Sequence, residues 1–158
     1  MLSQSIASSD WAPPFSQERG IVAIFSAWVI AQLLKVIAGI IRDKKFNFRW
    51  LLMSGGMPSS HSAAVSSLST VVGLYYGFNT IFFWMAYVFS LIIMFDAAGV
   101  RRAVGRQASI LNKMMDEISQ GDEIRDKRLK ELLGHTPVEV IAGACLGIGL
   151  TFIICFAL

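Results

Sequence analysis

The feature that most restricts this chain is the run Ile21–Ile41, 21 consecutive residues of mainly apolar character interrupted by Gln32 and Lys35. At 1.5 Å of rise per residue, a helix of that length spans about 30 Å, the thickness of a bilayer's hydrocarbon layer. A second run of equal length, Val138–Leu158, carries Gly143 and Gly147 in the G-x-x-x-G spacing that favours close helix contact. Between them, Ile81–Phe95 is almost wholly apolar and aromatic and stops at Asp96. Ser62–Phe78 is apolar but rich in small residues (Ala63, Ala64, Ser66, Ser67, Ser69, Gly73), as expected of a helix buried among others. Gly77-Phe78-Asn79-Thr80 reads as a tight turn between these two. The composition agrees: 54% of residues are hydrophobic and 16% charged, against about 25% charged in a soluble domain.

These segments predict an all-α, polytopic membrane bundle with about four transmembrane helices. Residues 1–19 read as an N-terminal tail and residues 20–158 as a single membrane domain. Val104, Ala108, Leu111, Met115 and Ile118 recur at helical spacing inside the polar segment 99–137, which predicts an amphipathic helix at the membrane interface. With four spans, the loops 42–61 and 99–137 share one side of the bilayer. They hold four and eight of the 14 Lys and Arg residues, so the positive-inside rule predicts that both are cytoplasmic. A formal net charge of +3, with the cations dispersed between apolar runs, excludes nucleic acid as a partner. Cys145 and Cys155 are ten positions apart in one run and read as packing thiols.

Both histidines of the chain, His61 and His135, sit where a polar loop meets a span, and the topology brings them to one face. Neither has a second His, Cys or paired carboxylate at metal-ligand spacing, so no metal is expected. Ser54-Gly55-Gly56-Met57-Pro58-Ser59-Ser60-His61 precedes a helix. It is either an anion-binding loop at a helix N-terminus or a turn with a serine cap. In Gly134-His135-Thr136-Pro137-Val138-Glu139, the Thr-x-x-Glu spacing is a capping box with proline at the first helical position. Alternatively, Glu139 orients one ring nitrogen of His135, as a carboxylate does in hydrolase triads. The sequence leaves both open. Asp96 and the pair Arg101-Arg102 follow the third span as either a phosphate-binding cluster or a stop-transfer cluster. Lys35, inside the first span near its basic end, either snorkels to the interface or faces the same anion.

The stretch Gly134-His135-Thr136-Pro137-Val138-Glu139-Val140-Ile141-Ala142-Gly143 is similar to the last signature of the type 2 phosphatidic acid phosphatase and vanadium haloperoxidase superfamily, His-x-x-x-Asp-Val with Ala-Gly following. Pro58-Ser59-Ser60-His61 resembles its middle signature, Pro-Ser-Gly-His. Together with Asp96-Ala97-Ala98-Gly99-Val100-Arg101-Arg102, these segments resemble the divergent branch of that superfamily over roughly residues 27–150. The resemblance implies a metal-independent membrane phosphatase, without cofactor, acting on a lipid or isoprenoid phosphate through a phosphohistidine. By that resemblance His135 is the nucleophile, Glu139 its orienting carboxylate and His61 the acid for the leaving group. Lys35, Ser59, Ser60, Arg101 and Arg102 hold phosphate, with Asp96, Gly55 and Gly56 in support. Ser60 and Glu139 depart from the signatures' glycine and aspartate, and the usual Lys-x₆-Arg-Pro signature has no match. Four spans are also fewer than the usual six, so a second subunit, making a homo-oligomer, is one source for the rest of a pocket. A lipid-phosphate binding or transport protein without turnover is the alternative, and a purely structural membrane protein the third.

Overall fold

The computed structural model describes residues 14–43, 56–118 and 134–157, and every regular element among them is helical. The elements are α1 (Gln17–Asp43), α2 (Ser60–Tyr76), α3 (Ile81–Phe95), a π-helical turn (Asp96–Val100), α4 (Arg101–Ile118) and α5 (Pro137–Phe156). Three stretches are long and apolar enough to cross a bilayer: Gln17–Ile41, the continuous Ile81–Met115 and Pro137–Phe156. The helical membrane bundle expected from the sequence is therefore what forms. Two details differ from the expectation. The second helix starts at Ser60 rather than Ser62, because Ser59 caps it: the Ser59 hydroxyl accepts the Ser62 N–H. No loop separates the third span from the amphipathic segment either, since the chain stays helical through the π-turn into α4.

The short helix α2 is the hub, with α1, α3 and α5 all packed on it. It and α5 run parallel, locked every fourth residue. A Cβ added at Gly143 would collide with the carbonyl oxygen of Ser59, and one at Gly147 with that of Ala63. One turn further on, the Ser67 and Thr151 hydroxyls hydrogen-bond at 2.7 Å. Only hydrogen in place of a side chain lets the backbones approach this closely. On the opposite flank, Ser90 of α3 donates to the Val65 carbonyl of α2 at 2.8 Å and shares a hydrogen bond with Ser69. Lipid supplies no competing water, and each such interhelical bond contributes about 0.6–2 kcal/mol.

Most of the rest of α3 faces outward, while Phe83, Ala86 and Met94 are half-buried. Of its 15 residues Ser90 alone is buried, whereas Phe82, Trp84, Met85, Phe89, Ile92 and Phe95 are exposed. In water such a surface would aggregate; against acyl chains it is the matching solvent. The α2–α3 turn is the one read from the sequence. Gly77 takes φ 96° and closes α2, and Thr80 caps α3 by accepting the Phe83 N–H. Aromatic rings gather at this end: Phe15 packs edge-on against Tyr75 at 5.9 Å and Phe156 at 6.1 Å. They mark one membrane interface.

Two glycines in the middle of α5 give a matched test of the parallel pair. Gly147 meets backbone, whereas a Cβ at Gly149 meets nothing within 4 Å. Gly147→Ala is expected to destabilise by about 1–3 kcal/mol through overpacking, and Gly149→Ala to be neutral or stabilising by up to about 1 kcal/mol. Thermal unfolding in detergent, followed by circular dichroism, compares the two.

Candidate active site

At the end of the bundle opposite the aromatic rings, the parallel arrangement sets the N-termini of α2 and α5 side by side. The joining contact is backbone to backbone: the Ser59 N–H donates to the Glu139 carbonyl at 3.0 Å. The loop before α5 is fixed from the other side, where the His135 N–H donates to the Ala97 carbonyl in the π-turn at 2.9 Å. Gly134 makes that approach possible. It has φ +98° and lies directly on the Arg101 and Arg102 backbone, so a side chain there is excluded on both counts.

His135 is 2% exposed. Its Nδ1 lies 2.9 Å from Glu139 Oε2, and its Nε2 is buried without a hydrogen-bond partner. With Nδ1–H donated to the carboxylate, Nε2 carries the lone pair. A buried ring nitrogen left unpaired costs about 1–3 kcal/mol, and such exceptions call for an explanation. The same Glu139 Oε2 also accepts the Thr136 N–H at 3.2 Å, while the Glu139 N–H donates to Thr136 Oγ1 at 3.3 Å. The capping box and the His135 contact, alternatives in the sequence, are made together by one oxygen. Glutamate is long enough to reach back over Pro137 to both.

Lys35 comes to this end from α1 and is buried. Its Nζ donates to Gln32 Oε1 at 3.2 Å and to Ser60 Oγ at 3.5 Å, and its stem packs on Gly56, whose φ is +97°. Ser60 is buried beside it. The Ser59 hydroxyl, also buried, is turned into the cap of α2 and receives the Ser62 hydroxyl at 3.0 Å. His61 lies in the first turn of α2, exposed, within range of the charges of Arg101, His135 and Lys35. Arg101 is half-exposed and donates from Nε to Asp96 Oδ2 at 2.7 Å; Arg102 is exposed. Gly55 lies outside the described residues. The structure thus brings Lys35, Ser60, Ser59, His61, His135 and Glu139 to one end of the bundle, with Asp96, Arg101 and Arg102 at its margin.

Two contributors were not singled out from sequence. Gln32 was visible as a polar residue three positions before Lys35, on the same helix face, which is the signal that pairs them. The Ala97 carbonyl carries no side-chain signal at all. No group of three His, Cys, Asp or Glu side chains that could hold a metal ion occurs among the described residues.

The sequence pattern of the divergent PAP2 family matches residues 16–150 and so takes in every element from α1 into α5. The chain is also similar to the uncharacterized membrane protein YuiD of Bacillus subtilis (strain 168), with 38% identity over 147 residues, covering 86% of this chain and 93% of that protein. No solved structure matches it. A family pattern spanning most of the chain, and a membrane-protein relative aligned over nearly its full length, establish that this integral membrane protein belongs to the divergent PAP2 family.

Proposed function

We propose that the protein is a membrane phosphatase that hydrolyses a lipid or isoprenoid phosphate through a phosphohistidine on His135. The observation that carries this reading is the state of His135: buried, held at Nδ1 by Glu139, and unpaired at Nε2. In the first step the Nε2 lone pair attacks phosphorus, the P–N bond forms, and the P–O bond to the lipid alcohol breaks. Protonated His61 gives its proton to the departing alkoxide, while Glu139 stabilises the cationic imidazole. In the second step neutral His61 takes a proton from water, the hydroxide oxygen attacks phosphorus, and the P–N bond breaks to release phosphate and restore the imidazole. Splitting one displacement in two is the gain of covalent catalysis. Lys35, Arg101 and Arg102, with Ser59 and Ser60, hold the equatorial oxygens as charge redistributes. Asp96 orients Arg101, and Gly56 leaves room for the stem of Lys35. In this reading no metal or cofactor takes part.

One arrangement favours the second reading, a lipid-phosphate binder without turnover. Ser59 Oγ already accepts two hydrogen bonds in the cap of α2 and the Arg101 Nε–H is directed at Asp96, so two of the groups assigned to phosphate are engaged with protein partners instead.

The protein in detergent with phosphatidic acid or isoprenyl phosphate and a chelator is expected to release inorganic phosphate. His135→Ala abolishes release, and Glu139→Gln, which keeps a cap acceptor but loses the charge, lowers kcat by on the order of 10²–10⁴ with little change in KM. If all substrates fail but phosphate raises the melting temperature in a manner that depends on Lys35, the binder is the better description.

The cytoplasmic placement of the site follows from the charge bias of the loops. In intact cells a membrane-impermeant thiol reagent is expected to label Asn79→Cys directly and Gln107→Cys only after permeabilisation; the reverse pattern overturns the orientation.

A further inference from the structure

The helix α4 is unexplained by the reading above. The helical rod Ile81–Met115 is 35 residues long, about 52 Å at 1.5 Å per residue, whereas the hydrocarbon layer takes about 20 residues. Counting from the aromatic end at Ile81, the far interface falls close to Arg101, so most of α4 stands beyond it. Yet α4 is not clothed for water. Val100, Val104, Ile110, Leu111 and Met114 are all exposed and fall on one arc of the helix. A second side, Gly105, Ala108 and Asn112, is buried. A third carries Arg102, Arg106 and Lys113, all exposed. By helical spacing, Arg106 and Lys113 border the apolar arc at Ile110, four residues after one and three before the other.

From Arg101 to Met115 there are four cations and no acidic residue; Asp116 and Glu117 follow only in the last turn of α4. An apolar arc edged by cations over those 15 residues is complementary to one surface in particular, a leaflet with anionic headgroups. A second copy of α4 would set like charge against like. The junction suits a change of direction, since π-helical turns are places where helices bend, and a Cβ at Gly99 would meet nothing within 4 Å.

We propose that α4 binds anionic lipid: beyond the π-turn it lies in the headgroup layer of the leaflet bearing the site, with Val104, Leu111 and Met114 among the acyl chains and Arg106 and Lys113 on lipid phosphates. This does not depend on the phosphatase reading, because it concerns a surface outside the histidine site.

The test uses the full chain, with Cys145 and Cys155 replaced by alanine, in nanodiscs of phosphatidylcholine alone or with phosphatidylglycerol. A polarity-sensitive fluorophore is placed at Leu111→Cys, or at Ser109→Cys on the opposite side of the helix. The expected result is that phosphatidylglycerol makes the probe at position 111 blue-shifted, quenched by nitroxide-bearing lipid and protected from aqueous iodide, while the probe at 109 stays open to iodide. Neutralising Arg106 and Lys113 with glutamine, or raising the salt, should reverse this, by about fivefold in the docked-to-undocked ratio for each cation removed. The proposal is overturned if the probe at 111 remains iodide-accessible in both lipids. It is equally overturned if that probe is shielded from iodide and from lipid nitroxide alike, which would mean that protein covers the arc.

Discussion

The structure depends on the close approach of two backbones. Helices in lipid gain nothing from hiding apolar surface from one another, so association rests on contact area and on the few hydrogen bonds available. Here α2 is short and dotted with hydroxyls, an unfavourable surface to show to acyl chains. Pressing it against α5 at Gly143 and Gly147 and covering its other sides with α1 and α3 buries those hydroxyls among hydrogen-bond partners, Thr151 for Ser67 and Ser90 for Ser69. The large apolar residues meanwhile mostly turn outward, and the interior mixes these polar contacts with small apolar residues such as Ala27, Ala31 and Ala63.

That approach also makes the site. Parallel helices place like ends together, so the N-termini of α2 and α5, each with amide hydrogens that have no partner within their own helix and a partial positive charge, converge on one region. Into it come the imidazole of His135 and the ammonium of Lys35. The carboxylate of Glu139 balances this positive field while closing its own helix, and it does both with one oxygen. A residue that caps and orients at once ties the ring's position to the helix start, so the imidazole is held by secondary structure rather than by a mobile side chain.

Much of this was legible in the sequence because it is local. The apolar runs, the Gly77–Thr80 turn, the capping box and the small-residue face of α2 are patterns within a few residues. So is the gathering of Lys35, His61 and His135 at one end, which follows from counting spans. What was not legible depends on backbone meeting backbone across long separations. No residue type announces that the Ala97 carbonyl will receive the His135 N–H, or that the Ser59 N–H will reach Glu139. The continuity of α3 into α4 was hidden for a different reason. The change from apolar to charged residues at Asp96 marks a change of solvent, and composition does not distinguish that from a break in the helix.

The four-residue repeat that joins α2 to α5 has a weakness that its regularity creates. Sliding one helix along the other by a single turn would bring Ala63 over Gly143 and Ser67 over Gly147, so two small-on-small rungs would survive the slip. Packing alone discriminates poorly between these alignments. The contacts at the site end do discriminate, because Ser59 would lose the Glu139 carbonyl, and any shift of α5 that carried His135 with it would lose the Ala97 carbonyl. The cluster that holds the imidazole is therefore also the index mark of the bundle. A chain that drifted to the neighbouring alignment would keep its membrane helices and lose its histidine's place among them.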